Sequence, residues 1–213
     1  MVEPDHILRK NHWEQVHRSK PEWERSWQQL RPAASLELIQ RAGIAPSARV
    51  VDIGGGASRL VDFLLDAGFR NLTVVDISAT ALAEARARLG TRSALVRWVE
   101  ADIAVADVKG PFDLWHDRAA FHFLTTAEDR ARYVATLKTA LSSAGIAILG
   151  TFAEDGPSTC SGLPVVRYTP NALQREVGPE FELVETTREI HLTPRGDTQS
   201  FIYCAFRRMI GPT

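Results

Sequence analysis

Three observations predict an α/β fold for this 213-residue chain. From residue 49 short apolar runs alternate with helical periodicity, a triple-glycine turn follows the first run, and two long runs at the carboxyl end are joined only by a loop. The expected architecture is a three-layer sandwich on a mostly parallel seven-stranded sheet, closed by a C-terminal antiparallel hairpin. ARVVDI (48–53) is a continuous apolar run bounded by turn residues, as a buried parallel strand requires. In ASRLVDFLLDAG (57–68), Leu60, Val61, Leu64 and Leu65 share one helical face and Gly68 supplies the stop. LTVVDI (72–77) is the second strand, and Ser78 is placed to cap an alanine-rich helix ending at Gly90. LVRWVEAD (95–102) and FDLWHD (112–117) are the third and fourth strands. Thr125 and Glu128 have capping-box spacing at the head of a helix over 125–145, and IAILGTF (146–152) is the fifth strand. Thr169 and Pro170 suit the first positions of a short helix reaching about Gly178. FELVETTREIHL (181–192) and SFIYCAFRR (200–208) then pair most simply as the antiparallel hairpin.

Composition narrows the function. A chain with 45% hydrophobic and 24% charged residues suits one compact domain with a sizeable core. Residues 1–213 are read as a single unit, in which a helical cap (1–45) lies over a core (46–213). A formal charge of −1 gives no sign of a nucleic-acid or acidic-membrane partner. The basic residues near the N-terminus are interleaved with Glu14, Glu22 and Glu24, the pattern of a solvated or packed helical face. Two cysteines, Cys160 and Cys204, make neither a disulfide framework nor a metal cluster. The first residues lack a secretory apolar segment, and no apolar run is long enough to span a bilayer. A cytoplasmic monomer or homodimer is the expectation.

The turn DIGGGASR discriminates between cofactors. A dinucleotide site asks for G-x-G-x-x-G, whose third glycine allows close helix–strand packing below a pyrophosphate. Gly54 and Gly56 supply the first pair, but Arg59 stands at the third position. Asp76, 22 residues after Gly54, suits a ribose diol in either kind of site. A phosphate-free cofactor such as S-adenosylmethionine needs a tight turn beside its amino-acid part, an acid on the ribose and an acceptor for the adenine amino group. Asp52 with the glycines, then Asp76, then Asp102 offer these at three successive strand ends.

As a set, DIGGG, VVDIS, EADI and FDLWHDR resemble the Rossmann-like class I S-adenosylmethionine-dependent methyltransferases over about residues 30–150. The resemblance implies that Gly54 and Gly56 approach the methionine part, with Asp52 bracing the turn. It further implies Asp76 on the ribose hydroxyls, Ile77 on an adenine face, and Asp102 with the Ile103 amide on the adenine edge. The product would be S-adenosylhomocysteine. An Asn/Asp-Pro-Pro-Tyr motif of nucleobase and glutamine methyltransferases is replaced here by Asp117-Arg118-Ala119-Ala120. A bacterial subgroup is similar as well, and more distantly the citrate synthase and elongation-factor lysine methyltransferases.

For the chemistry, Asp117 lies at a strand end where it would reach the methionyl amino group or the acceptor. His122 is the general-base candidate because imidazole titrates near neutrality, its alternative being a packing role between Phe121 and Phe123. His116 is read as structural. No metal is expected, since the spacing of His116, Asp117 and His122 matches no familiar site. Phe121, Cys160, Arg167 and Tyr168 are candidates for contact with the acceptor, the last three in an irregular segment at the rim (152–170). Thiol and thiopurine methyltransferases are similar in closing a Trp-containing N-terminal segment over the cofactor, which places Trp27 near it. The leading expectation is methyl transfer to an O, S or N nucleophile of a small molecule. The alternatives are a protein lysine acceptor and a protein that binds the cofactor without transferring the methyl group.

Overall fold

The structure, a computed structural model, describes residues 5–210. Helix α1 (Asp5–Ser19) and α2 (Ala33–Arg41) precede β1 (Arg49–Ile53), α3 (Leu60–Asp66), β2 (Asn71–Asp76), α4 (Ala79–Leu89) and β3 (Val96–Glu100). Then come β4 (Phe112–Arg118), α5 (Ala127–Ala140) and β5 (Leu141–Phe152), followed by a two-residue ribbon, β6 (Thr159–Cys160) with β7 (Leu163–Pro164). Helix α6 (Pro170–Val177) and the hairpin β8 (Phe181–Leu192) and β9 (Thr198–Arg208) complete the chain. The seven-stranded sheet runs β3-β2-β1-β4-β5-β9-β8, parallel except where β9 joins β5 and β8. This is the three-layer arrangement expected from the alternation of apolar runs and helices. No helix among the described residues is long and apolar enough to cross a membrane.

Strand alternation assigns the two faces. Val50, Val74, Leu114 and Ile148 pack with Leu38, Leu64 and Leu82 of α2, α3 and α4. Val51, Val75, Trp115 and Ala147 pack with Tyr133, Leu137 and Leu173 of α5 and α6. Side chains on β4 therefore divide by parity: Leu114, His116 and Arg118 share the α2 face, while Trp115 and Asp117 share the α5 face.

The caps follow the sequence with one shift. Ser78 accepts from the Ala81 amide at 3.1 Å, and Thr169 accepts from Ala172 at 3.1 Å. Helix α5 is capped by Thr126, which accepts from Asp129, one residue beyond the expected Thr125 and Glu128 pair. That helix also stops at Ala140, five residues short of the expected end, because β5 begins at Leu141 and pairs with Phe112.

Candidate active site

A cavity opens at the carboxyl ends of β1, β2, β3 and β4, where the sheet order reverses between β1 and β4. The glycine turn forms its floor. Gly54 sits at φ +65°, and a Cβ there would lie 2.7 Å from the Ala120 Cβ, so the turn packs directly on the segment after β4. Gly56 sits at φ +35°, where a Cβ would come within 2.6 Å of Asp76 Oδ2. Glycine thus lets the Asp76 carboxylate close on the turn.

Asp76 ends β2 facing this cavity. Its Oδ1 accepts from the Ser78 amide at 2.8 Å. The carboxylate keeps some surface towards the cavity yet lies deep among protein atoms, and this desolvation pushes its pKa up to about 7. The nearby charges of Asp52 and Glu14 push the same way, while the Ser78 and Gly56 amides oppose them. Among the described residues no cation pairs with Asp76, and a vicinal diol would supply the donors it lacks. Ile77, Asp102 and Ile103 continue the wall, with Asp102 Oδ1 accepting from the Ala104 amide at 2.9 Å.

Asp52 is held through a neighbouring strand. In the parallel register Asp52 lies beside His116, so both project from the α2 face. His116 Nδ1 is 2.7 Å from Asp52 Oδ1, and Nε2 is 2.9 Å from the Ser35 hydroxyl on α2. With Nδ1 donating to the carboxylate, a neutral ring accepts the Ser35 proton at Nε2. His116 is therefore the residue that orients Asp52, a role its sequence position did not announce.

The N-terminal segment forms the outer wall, contributing Arg9, Trp13, His17 and Trp27 through Gln29. Several polar ties hold it down. Glu14 accepts from the Ala79 amide at 2.6 Å at the head of α4, where a carboxylate also complements the helix dipole. Buried Arg25 grips Glu84 of α4 through two bonds of 2.6 and 2.8 Å. Arg59, the residue in place of the third glycine, bonds Glu22 at 2.9 Å and so ties the glycine turn to the wall. Arg9 Nε donates to Asp102 Oδ2 at 2.8 Å. Inside, Trp13 meets Trp27 edge-to-face at 5.8 Å and Phe123 at 5.0 Å, making an aromatic lining. Ligand entry should therefore change tryptophan emission, and a Trp13→Phe, Trp27→Phe double variant should lose most of that change. A Trp115→Phe variant, altered in the core, should keep it.

Five residues expected at the site lie off the cavity wall. Asp117 faces α5, fully buried, and accepts from the Tyr133 hydroxyl at 2.7 Å and from the Ala120 and Phe121 amides. Parity excludes it from the crevice: Asp117 pairs with Ile53 while Asp52 pairs with His116. Phe121 is wholly buried against Tyr133 and Tyr168. His122 is buried between Phe123 and Phe152, its Nδ1 accepting from the Phe152 amide at 3.3 Å. Burial, with the Arg118 charge beyond it, lowers the His122 pKa to about 3, so the ring is neutral and shut away from the cavity. Arg167 turns to the Gly156 carbonyl at 3.3 Å, and Tyr168 is buried in the core beside the bridge from residue 168 to Ala153. Cys160 does line the cavity, with burial pushing its thiol up. Among the described residues no cluster of His, Cys, Asp and Glu is arranged to hold a metal. Arg9, Trp13, His17, Phe123 and Arg118 are among the lining residues to which the sequence assigned no ligand contact.

Residues 50–145 match the sequence model of a methyltransferase domain. No curated protein matches the chain by sequence. Among solved structures, the 1,6-didemethyltoxoflavin-N1-methyltransferase of Burkholderia thailandensis, with its substrate and S-adenosylhomocysteine bound, superposes with TM-score 0.72. It is 21% identical, over 99% of this chain and 92% of its own. An S-adenosylmethionine-dependent methyltransferase of Anabaena variabilis reaches TM-score 0.73 at 14% identity, over 97% of this chain and 96% of its own. The magnesium protoporphyrin IX methyltransferase of Synechocystis, with S-adenosylmethionine bound, gives 0.71 at 15%, over 97% and 98%. Residues 50–145 thus match a methyltransferase domain, and the chain has the fold of these S-adenosylmethionine-dependent methyltransferases.

Proposed function

We propose that this protein transfers the methyl group of S-adenosylmethionine to an O, S or N nucleophile of a small molecule by in-line displacement. The observation that carries this reading is the wall formed by Arg9, Trp13, His17 and Trp27, tied by Arg25 and Glu14 to α4 over the cavity. In this reading residues 1–45 act as a cap on the core at 46–213. A site covered in this way admits a compact acceptor and excludes water from the reacting groups. The side chain of a protein lysine would need a channel through that wall.

Within the cavity, Gly54, Gly56 and Asp52 take the methionine part of the donor, and Asp76 takes the two ribose hydroxyls. Ile77 covers an adenine face, while Asp102 and the Ile103 amide meet its edge and Trp27 closes over the whole. Bound there, S-adenosylmethionine supplies an electrophilic methyl group on a sulfonium. The chain's own contribution is then orientation and exclusion of water rather than proton abstraction. His122 is shut away, and His17, which does face the cavity, is held at about 4 by burial and the charge of Arg25 and is a weak base. An acceptor that brings its own lone pair, such as an amine, thiolate or oxyanion, fits this arrangement.

The test is S-adenosylhomocysteine release from S-adenosylmethionine across a panel of small amines, thiols, phenols and carboxylic acids, with unfolded and folded proteins as comparison acceptors. Turnover with members of the small-molecule panel alone is the expected result. Turnover with proteins alone would replace it by the lysine reading, and tight binding with no turnover on either panel by a binding-only role.

A further inference from the structure

Arg118 ends β4 on the α2 face in unusual surroundings for a cation. Its Nε donates to the Tyr203 hydroxyl at 2.9 Å and its Nη1 to the Trp27 carbonyl at 3.0 Å. The guanidinium lies 4.6 Å from the centre of the Phe201 ring. Gly150 makes this possible, because a Cβ there would lie 2.7 Å from the Tyr203 ring, which instead crosses β5 and brings its hydroxyl to Arg118. Tyr203 in turn donates to Glu189 at 2.7 Å, so the nearest acid in this chain of bonds is one hydroxyl removed. None of the ion pairs among the described residues includes Arg118, and its Nη2 is buried without a partner. The side chain lines the cavity beside Ala119, Phe123 and Cys160.

Taking a guanidinium out of water without an anion is costly, and two neutral acceptors with an aromatic ring orient the charge without neutralising it. The planar fork of an arginine matches the two oxygens of a carboxylate. We propose that Arg118 anchors a carboxylate carried by a small molecule in the cavity. The inference rests on reading this cavity as the donor-and-acceptor site. The carboxylate belongs either to the amino-acid end of the donor or to the acceptor, and the chemistry of recognition is the same.

Calorimetry on the full chain separates these sources. One arm titrates S-adenosylhomocysteine and 5′-methylthioadenosine, which lacks the amino-acid carboxylate, into wild type, Arg118→Gln and Arg118→Lys. The other titrates benzoate, phenylacetate and short aliphatic carboxylates, beside their amides, into the S-adenosylhomocysteine-loaded proteins. If the donor supplies the carboxylate, Arg118→Gln weakens S-adenosylhomocysteine at least tenfold and leaves 5′-methylthioadenosine unchanged. If the acceptor supplies it, S-adenosylhomocysteine binds equally, and the wild-type preference for acids over amides disappears in Arg118→Gln. Arg118→Lys, keeping the charge without the fork, should lie between. Wild-type affinity for S-adenosylhomocysteine in Arg118→Gln, with no acid preference for it to lose, overturns the inference. Failure of wild type to bind either nucleoside overturns the donor-site reading itself, and this inference with it. Should Arg118→Gln not fold, Tyr203→Phe keeps the guanidinium but frees it from its orienting hydroxyl. That variant should weaken the same arm several-fold, and unchanged binding there counts against the proposal.

Discussion

Asp76→Asn should weaken S-adenosylhomocysteine binding by about 2 kcal/mol, roughly 30-fold, while making the ligand-free protein more stable at pH 7. Both effects have one cause. Burial raises the carboxyl to about 7, well above the ordinary value near 3.9 that it has in the unfolded chain. Between about pH 4 and 7 the folded protein therefore holds a proton that the unfolded chain has released. Stability conferred by that difference is fully present below pH 4 and is lost as pH rises to 7. Asparagine removes this slope, keeps the acceptor for the Ser78 amide and loses the charge that two ribose hydroxyls would stabilise. Ligand affinity should run the opposite way in wild type, rising up to about tenfold per pH unit below 7 and levelling above it, because the ionised carboxylate is the better acceptor. The Asp76→Asn profile should be nearly flat. Calorimetry from pH 5.5 to 8.5, paired with thermal melts, measures both. A variant that binds normally would remove Asp76 from the ribose role, and one that melts lower than wild type at pH 7 would contradict the cost assigned to its burial.

Asp117→Ala should lower the unfolding free energy by about 3 kcal/mol or more, with S-adenosylhomocysteine affinity in the surviving fold little changed. The substitution leaves the buried Tyr133 hydroxyl and Phe121 amide, and the part-buried Ala120 amide, without their acceptor, and a buried polar group so orphaned costs about 1–3 kcal/mol. It also releases the turn that holds Ala119 at φ +66°, a conformation that a residue with a Cβ adopts only when its surroundings enforce it. Because that turn packs on Gly54, the carboxylate supports the cavity floor from the opposite face of the sheet. Urea denaturation measures the stability loss. Normal stability with lost ligand affinity would return Asp117 to direct contact with the ligand.

The contrast between Asp76 and Asp117 shows where the sequence was legible. Each strand announced itself as an apolar run, and an acid at its carboxyl end was visible in each case. Which face that acid occupies depends on register, and nothing local in FDLWHDR states that His116 rather than Asp117 lies beside Asp52. A one-residue difference moved the expected site residue into the α5 core and brought His116 and Arg118 to the cavity. His122 failed for a related reason: the segment after β4 turns inward, burying the imidazole between two phenylalanines. That the glycine turn, Asp52, Asp76 and Asp102 line one cavity was legible because the turn and the strand ends are set by constraints close in sequence. The wall was legible only in part. The resemblance marked Trp27, but Arg9 and His17 gave no motif, and the partners of Arg25 and Arg59 lie 59 and 37 residues away. Arg59 ends with a positive role, since it joins the glycine turn to Glu22 of the covering segment.

A crystal structure of the full chain with S-adenosylhomocysteine decides whether the strand-end cavity is the donor site. The ligand should lie in the cavity at the strand ends, its ribose hydroxyls on Asp76, its adenine between Ile77 and Asp102, and its amino-acid end over Gly54 and Gly56 beneath Trp27. Ligand density away from this cavity, or a ribose that makes no contact with Asp76, would contradict that placement.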